Sequence, residues 1–289
     1  MNTSKDTSLR YQMGNAGDLL KHGVLAEFVR WRCDAGERIR FLDLFAGLPF
    51  NPETPPEVIS RIQGLDLCAL TEAQPDIGEG RYLGSTKLVQ HLGQRFGNGK
   101  VEVYAADADP GRNERLAAEG LQSLEALPAY PDAPEGADGY DAYTFLSAYI
   151  DQAEAQDLVL IDPYADFLLD KAETVIPQIS QLAERAAILL FALNGDPYSP
   201  DGERFDALLD EHLPGAVIMT VPPLRSSKIE GEKGYYADVI LASHALGEDG
   251  YAKDALLTRL DIFARQLGRV LGRSDRSRGM LRPRVLGKR

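Results

Sequence analysis

The run Asp157-Leu158-Val159-Leu160-Ile161, cut off by Asp162-Pro163-Tyr164, constrains this chain more than any other stretch. A short run of mostly apolar residues without polar alternation is the pattern of a strand buried on both faces of a parallel sheet. Ligands of open α/β sheets bind outside the carboxyl ends of the strands. Asp162, Pro163 and Tyr164 therefore stand where chemistry is usually found. The residues alone leave a second reading open, a strand that ends in a proline turn with Asp162 capping the next helix.

The rest of the chain alternates in the same sense. Leu20, Val24, Phe28 and Trp31 give residues 18–33 one apolar helical face. Ile39 to Leu44 reads as the first strand. Residues 51–80, bounded by Pro52, Pro55, Pro56 and by Pro75, Gly78, Gly80, read as an insertion forming a small helical subdomain. Gly84-Ser85 opens a helix to about Phe96. Val101 to Ala106 reads as the second strand, with Pro110 suited to the first turn of the helix after it. Residues 128–139 form a Pro/Gly-rich loop. Strands at 157–161 and 187–193 flank a helix near 170–186. A helix near 202–213 precedes two β-rich stretches, 216–221 and 235–242, that suit a hairpin. This order predicts one domain over 1–289, with a parallel sheet doubly wound by helices.

Composition bounds the function. No apolar run approaches the ~18 residues of a membrane span, so no membrane partner is expected. Met1 to Arg10 is polar and lacks a secretory apolar core, which makes the cytoplasm the expected compartment. Cys33 and Cys68 offer neither a zinc pattern nor a disulfide framework, and no metal is expected. The net charge is −13, yet Arg265, Arg269, Arg273, Arg276, Arg278, Arg282, Arg284, Lys288 and Arg289 face Asp275 alone in residues 265–289. That basic C-terminal tail reads either as an arm for phosphate backbones or as a solvated end. The Gly-x-Gly-x-x-Gly of dinucleotide enzymes does not follow the first strand, which argues against an oxidoreductase.

Three strand ends carry polar groups. Asp43 is followed by Leu44-Phe45 and then by Ala46-Gly47, small residues that let a ligand approach the backbone. Asp107 follows the second strand, where an acid accepts from ribose hydroxyls or caps a helix. Asp162 and the Pro163 carbonyl offer acceptors for an exocyclic amine, and Tyr164 an aromatic face for a base.

In this order the three sites resemble a class I S-adenosylmethionine-dependent methyltransferase. Within that class, Gly14-Asn15-Ala16-Gly17-Asp18-Leu19-Leu20-Lys21-His22 is similar to the Gly-Asn-His-Ala-Asp-Val-Leu-Lys-His stretch of the RlmJ family, which methylates the N6 amine of an adenine in large-subunit ribosomal RNA. Tyr82-Leu83-Gly84-Ser85 resembles its Tyr-Pro-Gly-Ser, and Asp141-Ala142-Tyr143 its Asp-Gly-Phe. The resemblance runs in order over roughly residues 8–245. It implies a Rossmann-like, mostly parallel seven-stranded sheet with an antiparallel last strand. It places Lys21, His22, Asp43, Gly47 and Ser85 around the S-adenosyl-L-methionine, Asp107 at its ribose, and Asp141 with Ala142 at its adenine. Asp162, Pro163 and Tyr164 become the catalytic residues, ribosomal RNA the partner, and a monomer or weak dimer the assembly. The family's Asp-Pro-Pro-Tyr is here Asp162-Pro163-Tyr164-Ala165, so the aromatic stands one place earlier. The same motifs also resemble, more loosely, partner proteins of three-Cys-motif systems, which implies a methyltransferase-like protein with altered or lost catalysis.

Overall fold

The computed structural model describes residues 13–51, 53–66, 68–128, 140–163, 165–194, 197–224, 236–243, 246, 250–272 and 281–287, with the side chains of 165–170, 251 and 252 left undescribed. The chain begins with helix α1 (Ala16–Asp34) and strand β1 (Ile39–Asp43). β2 (Phe50–Asn51), α2 (Pro56–Gln63), α3 (Ala69–Glu72) and β3 (Tyr82–Leu83) follow. Next come α4 (Ser85–Phe96), β4 (Val101–Ala105), α5 (Pro110–Ala118), β5 (Gln122–Ser123), α6 (Ala142–Tyr149) and β6 (Asp157–Ile161). The second half holds α7 (Ala165–Ala183), β7 (Ala187–Asn194), α8 (Pro200–His212), β8 (Val217–Val221), β9 (Tyr236–Ala242), α9 (Gly250–Val270) and β10 (Arg284–Val285).

The main sheet has the order β10-β8-β9-β7-β6-β1-β4-β5. β5, β4, β1, β6 and β7 run parallel, and β9 enters antiparallel between β7 and β8. This is the doubly wound, Rossmann-like sheet with a reversed last strand that the sequence predicts. One strand is added to the seven expected: β10 pairs antiparallel with β8. An open edge presents unpaired N–H and C=O groups, and the chain's own end covers them here.

The apolar runs explain the layering. Leu158 and Leu160 of β6 enter the core under α1, while Val159 and Ile161 enter the core on the opposite face. Each such side chain, 1% exposed or less, contributes roughly 1.5–3 kcal/mol of burial free energy. A strand covered on both faces cannot alternate polar and apolar residues, which is why 157–161 reads as one continuous run.

α1 departs from expectation. One apolar face was predicted, but residues 16–29 are all buried, and Trp31 of the expected face is only half-buried. The helix is packed against α3, α4, α9 and strands β8 and β9, so no face is left for solvent. Asp18, Lys21, His22 and Glu27 are thereby carried into the interior.

Segment 51–80, read as an insertion, folds as α2, α3 and a one-turn 3-10 helix, flanked by the antiparallel pair β2–β3. Its Val58, Ile62 and Leu70, with Tyr82 of β3, belong to the same core as α1. The basic stretch 265–289 is not a free tail over its described residues. Arg265 and Arg282 pair with Asp261, and Arg269 with Asp66. α9 itself is held to the body by its apolar face, with Leu256, Leu260, Phe263 and Leu267 fully buried in the core shared with α1. No described helix is long and apolar enough to cross a membrane.

Candidate active site

Parallel strands deliver their carboxyl ends to one edge of the sheet. Asp43, the last residue of β1, is in register with Ala105 of β4 and Leu160 of β6. Asp107 and Asp162 therefore stand two residues beyond Asp43 on either side, one strand spacing (~4.8 Å) away. The two-residue repeat of a strand adds a common face. Phe41, Ala105 and Leu160 all enter the core beneath α1, and each acid follows its own neighbour in that set by two positions.

α1 supplies the counter-charge. Asn15 caps the helix by accepting from the Asp18 backbone N–H at 3.0 Å, and Asp18 accepts from the Gly14 N–H at 2.8 Å. Asp18 is thus fixed one turn before Lys21. The Lys21 ammonium lies 2.9 Å from Asp18 Oδ1 and 2.5 Å from Asp162 Oδ2, and 4.9 Å above the Phe191 ring. Burial disfavours the charge on Lys21, but the two carboxylates outweigh it and hold the amine protonated, above its ordinary value. Burial likewise pushes the Asp162 carboxyl up, against the pull of Lys21. The Asp162 side chain keeps 20% of its surface open. Its Oδ2 is the oxygen engaged by Lys21, and its Oδ1 carries no hydrogen bond among the described residues.

The β2–β3 pair positions the next groups. Gly84 donates its N–H to the Pro49 carbonyl at 2.9 Å, and Ser85 behind it donates its hydroxyl to Asp43 Oδ2. Asp43 also accepts from the Phe45 N–H at 3.2 Å. Asp43 is fully buried, and burial together with the nearby Asp162 charge pushes it up to about 7, against the opposing bond from Ser85. Two residues before Gly84, the Tyr82 hydroxyl lies 2.7 Å from His22 Nδ1.

Asp107 holds the turn after β1. Its Oδ2 accepts from the Gly47 N–H at 3.0 Å and from Arg112 at 3.1 Å, and its Oδ1 accepts from the Asp109 N–H at 2.8 Å. Asn113 clasps the Asp107 backbone, its Oδ1 accepting from the Asp107 N–H and its Nδ2 donating to the Asp107 carbonyl. Gly47 has φ +62°, and a Cβ there would meet nothing within 4 Å. The turn is left-handed, and the space above it is open.

Asp141 caps α6 by accepting from the Tyr143 N–H, the Thr144 N–H and the Thr144 hydroxyl. Burial pushes its carboxyl up, but those bonds win and hold it below the usual range. Ala142 is buried in the first turn. The Tyr140 hydroxyl donates to the Leu44 carbonyl at 3.1 Å, and the Tyr143 ring meets Phe45 edge-on at 5.8 Å. These contacts bring the start of α6 to the β1 turn.

The fold brings residues expected singly into direct contact: Lys21 with Asp162, Asp43 with Ser85, and Gly47 with Asp107. Pro163 is buried beside Asp162, and Tyr164 lies outside the described residues. Sequence reasoning missed Asp18, Tyr82, Arg112 and Asn113. Asp18 had a visible signal, its i,i+3 spacing to Lys21. Tyr82 stood in the Tyr82-Leu83-Gly84-Ser85 stretch, but nothing there showed its pairing with His22, 60 positions away.

A carboxylate has about four lone-pair positions. Asp107 and Asp141 each use three in internal bonds, which leaves each one acceptor position. Lys21 supplies a cation and Gly47 an uncrowded backbone. Among the described residues, no group of three or more His, Cys, Asp or Glu is placed to hold a metal ion.

A doubly wound, mostly parallel sheet with one reversed strand defines a Rossmann-like fold, and acids stand at the ends of its first, second and fourth parallel strands in chain order. No family model and no curated protein matches the chain. Among solved structures, it is similar to protein LPL1258 from Legionella pneumophila, with a TM-score of 0.52 and 14% identity over 86% of this chain and 93% of that one. That likeness is one of fold. Precorrin-6y C5,15-methyltransferase from Geobacter metallireducens aligns at a TM-score of 0.31 and 13% identity, over 74% of this chain and 87% of that one. So distant a likeness adds nothing to the assignment.

Proposed function

We propose that the chain is an S-adenosyl-L-methionine-dependent methyltransferase acting on the exocyclic N6 amine of adenine in nucleic acid, with ribosomal RNA as the substrate. The observation that carries this reading is the meeting of Lys21 with Asp162 at the edge where Asp43 and Asp107 also end their strands. The resemblance of the Lys21-His22 and Asp162-Pro163 segments to the RlmJ family supplies the substrate class.

The cofactor contributes an electrophilic methyl group on a sulfonium. Asp107 and Asp141 would hold its ribose and adenine, Lys21 its carboxylate, and Gly47 would leave its path clear. The acceptor amine is a poor nucleophile, because its lone pair is delocalised into the ring. Asp162 Oδ1 and the Pro163 carbonyl would accept its two N–H bonds and turn the nitrogen toward a tetrahedral shape. Lys21 fixes the other Asp162 oxygen, so the carboxylate is oriented before substrate arrives. As positive charge builds on the nitrogen, Asp162 stabilises it. The proton then leaves to Asp162 Oδ1 or to water. A paired base would first be flipped out of its duplex.

The test is methyl transfer from tritiated cofactor to total RNA and DNA from cells lacking the protein. Label in RNA adenine supports the reading, and label confined to DNA moves the substrate. A second reading, the methyltransferase-like partner protein, is favoured by the single proline after Asp162 and the net charge of −13. Absence of label in both nucleic acids, with the cofactor product still bound, is its signature.

A further inference from the structure

We infer that Tyr82 is a positioning residue for His22: its hydroxyl, 2.7 Å from His22 Nδ1, fixes the imidazole and leaves the ring proton on Nε2. Tyr82 is completely buried and His22 is 2% exposed. Their rings stack at 5.5 Å with 30° between planes. A buried phenol requires a partner, and among the described residues His22 is the one Tyr82 has.

Both groups are uncharged. Burial pushes His22 down to about 3, with the Lys21 charge acting in the same direction. Burial, with the nearby Asp18 charge, holds the Tyr82 phenol well above its ordinary value. The pair therefore has one O–H and one ring N–H to place. If Nδ1 carried the ring proton, it would donate to the phenol oxygen, and the Tyr82 O–H would be left without an acceptor in the core. A buried donor left unmet costs more than an ordinary bond returns. If the phenol donates to Nδ1, the wholly enclosed O–H is met and the remaining N–H is moved to Nε2, which is not among the enclosed polar atoms left without a partner. The ring then remains a neutral donor beside the Lys21 ammonium.

The segment that does this also sets Ser85. Tyr82 of β3 engages α1, and three residues later Ser85 engages Asp43 at the end of β1. One short brace thus ties α1 to the sheet edge and orients His22 beside Lys21. The purpose of the Nε2 proton, donation to the carboxylate of the bound methyl donor, rests on the function proposed above. The tautomer does not.

The experiment is long-range 1H–15N spectroscopy of the full chain labelled with 15N-histidine at pH 7. His22→Gln identifies the His22 signals by their loss. Wild type is expected to show His22 protonated on Nε2 and bare on Nδ1. Tyr82→Phe, which keeps the ring and removes the hydroxyl, is expected to abolish that single-tautomer signature. Calorimetry should also show S-adenosylhomocysteine binding about two- to tenfold weaker to Tyr82→Phe, the size of one ordinary hydrogen bond. His22→Gln, which keeps an N–H donor, should bind more tightly than His22→Leu. Finding His22 protonated on Nδ1 in wild type, or unchanged nitrogen shifts in Tyr82→Phe, overturns the inference. The shifts are read without ligand. Failure of wild type to bind S-adenosylhomocysteine would instead overturn the proposed function.

Discussion

Lys21 and Asp162 stand 141 positions apart in the chain and 2.5 Å apart in the fold. The contact joins a buried helix to the end of a central strand, and among the described residues it engages one of the two Asp162 oxygens. Asp18, on the other side of the ammonium, is 1% exposed. Lys21→Met strands that buried carboxylate without a counter-charge. The expected loss is about 3 kcal/mol, typical of breaking a buried pair from one side. Urea unfolding monitored by circular dichroism measures it. A midpoint equal to wild type would show that Lys21 does not stabilise the acids.

Asp162→Ala separates chemistry from binding. Lys21 keeps Asp18 as its partner, so the fold should persist. S-adenosylhomocysteine affinity should stay within a factor of a few of wild type. The methyl-transfer rate should fall about a hundredfold or more, as when one transition-state hydrogen-bonding group is removed. Single-turnover transfer of tritiated methyl is the measurement, and an unimpaired rate removes Asp162 from the mechanism.

Asp107→Ala should act on the cofactor instead. It deletes the acceptor proposed for the ribose and releases the Gly47 N–H and Arg112. Calorimetry should show S-adenosylhomocysteine binding weakened by about tenfold or more, the size of a lost charge-assisted bond. Unchanged affinity would leave Asp107 as a helix-entry acid alone.

Asp43 imprints a pH dependence on stability. Its folded value, about 7, is above its ordinary value of 3.8. Between these values the native state holds a proton that the unfolded chain has released. The contribution of Asp43 is therefore full below about pH 4 and is lost as pH rises through 7. His22 acts in the opposite sense, because its folded value of about 3 is below 6.5. Its contribution is present above about 6.5 and is lost as pH falls toward 3. The two slopes oppose each other from about pH 4 to 6.5 and mask one another in wild type. Asp43→Asn should unmask the His22 slope, so its stability rises with pH more steeply than wild type over that window. Parallel denaturation series at pH 4, 5, 6 and 7 test this; superimposable slopes would mean that Asp43 titrates normally.

Two glycines at the site should respond differently to alanine. At Gly47 a Cβ meets open space, and the cost is the left-handed backbone alone, about 1–2 kcal/mol. At Gly84 a Cβ would be 2.4 Å from the Leu48 carbonyl oxygen, a backbone atom that cannot swing aside. Gly84→Ala should therefore cost more stability than Gly47→Ala, and it should displace Ser85 and weaken cofactor-product binding. Thermal unfolding and calorimetry on both variants decide the order; equal costs would mean that the β2–β3 pair yields freely.

The legible part of this protein was local. The five-residue run of β6, buried on both faces, could be read directly because burial on both faces removes polar alternation. Asp43, Asp107 and Asp162 could be marked because each closes an apolar run, and parallel strands must end at one edge. The unreadable part was long-range. α1 showed one apolar face in sequence and is covered on every side in the fold, because three helices and two strands surround it. Nothing beside Tyr82 points to His22, nothing near Arg284 points to the β8 edge, and nothing near Asp162 names Lys21. Periodicity reports what each segment buries, and so the sequence determined the layers and the acidic strand ends. Which buried charge meets which depends on how helices pack over the sheet, and the tertiary structure alone decided that.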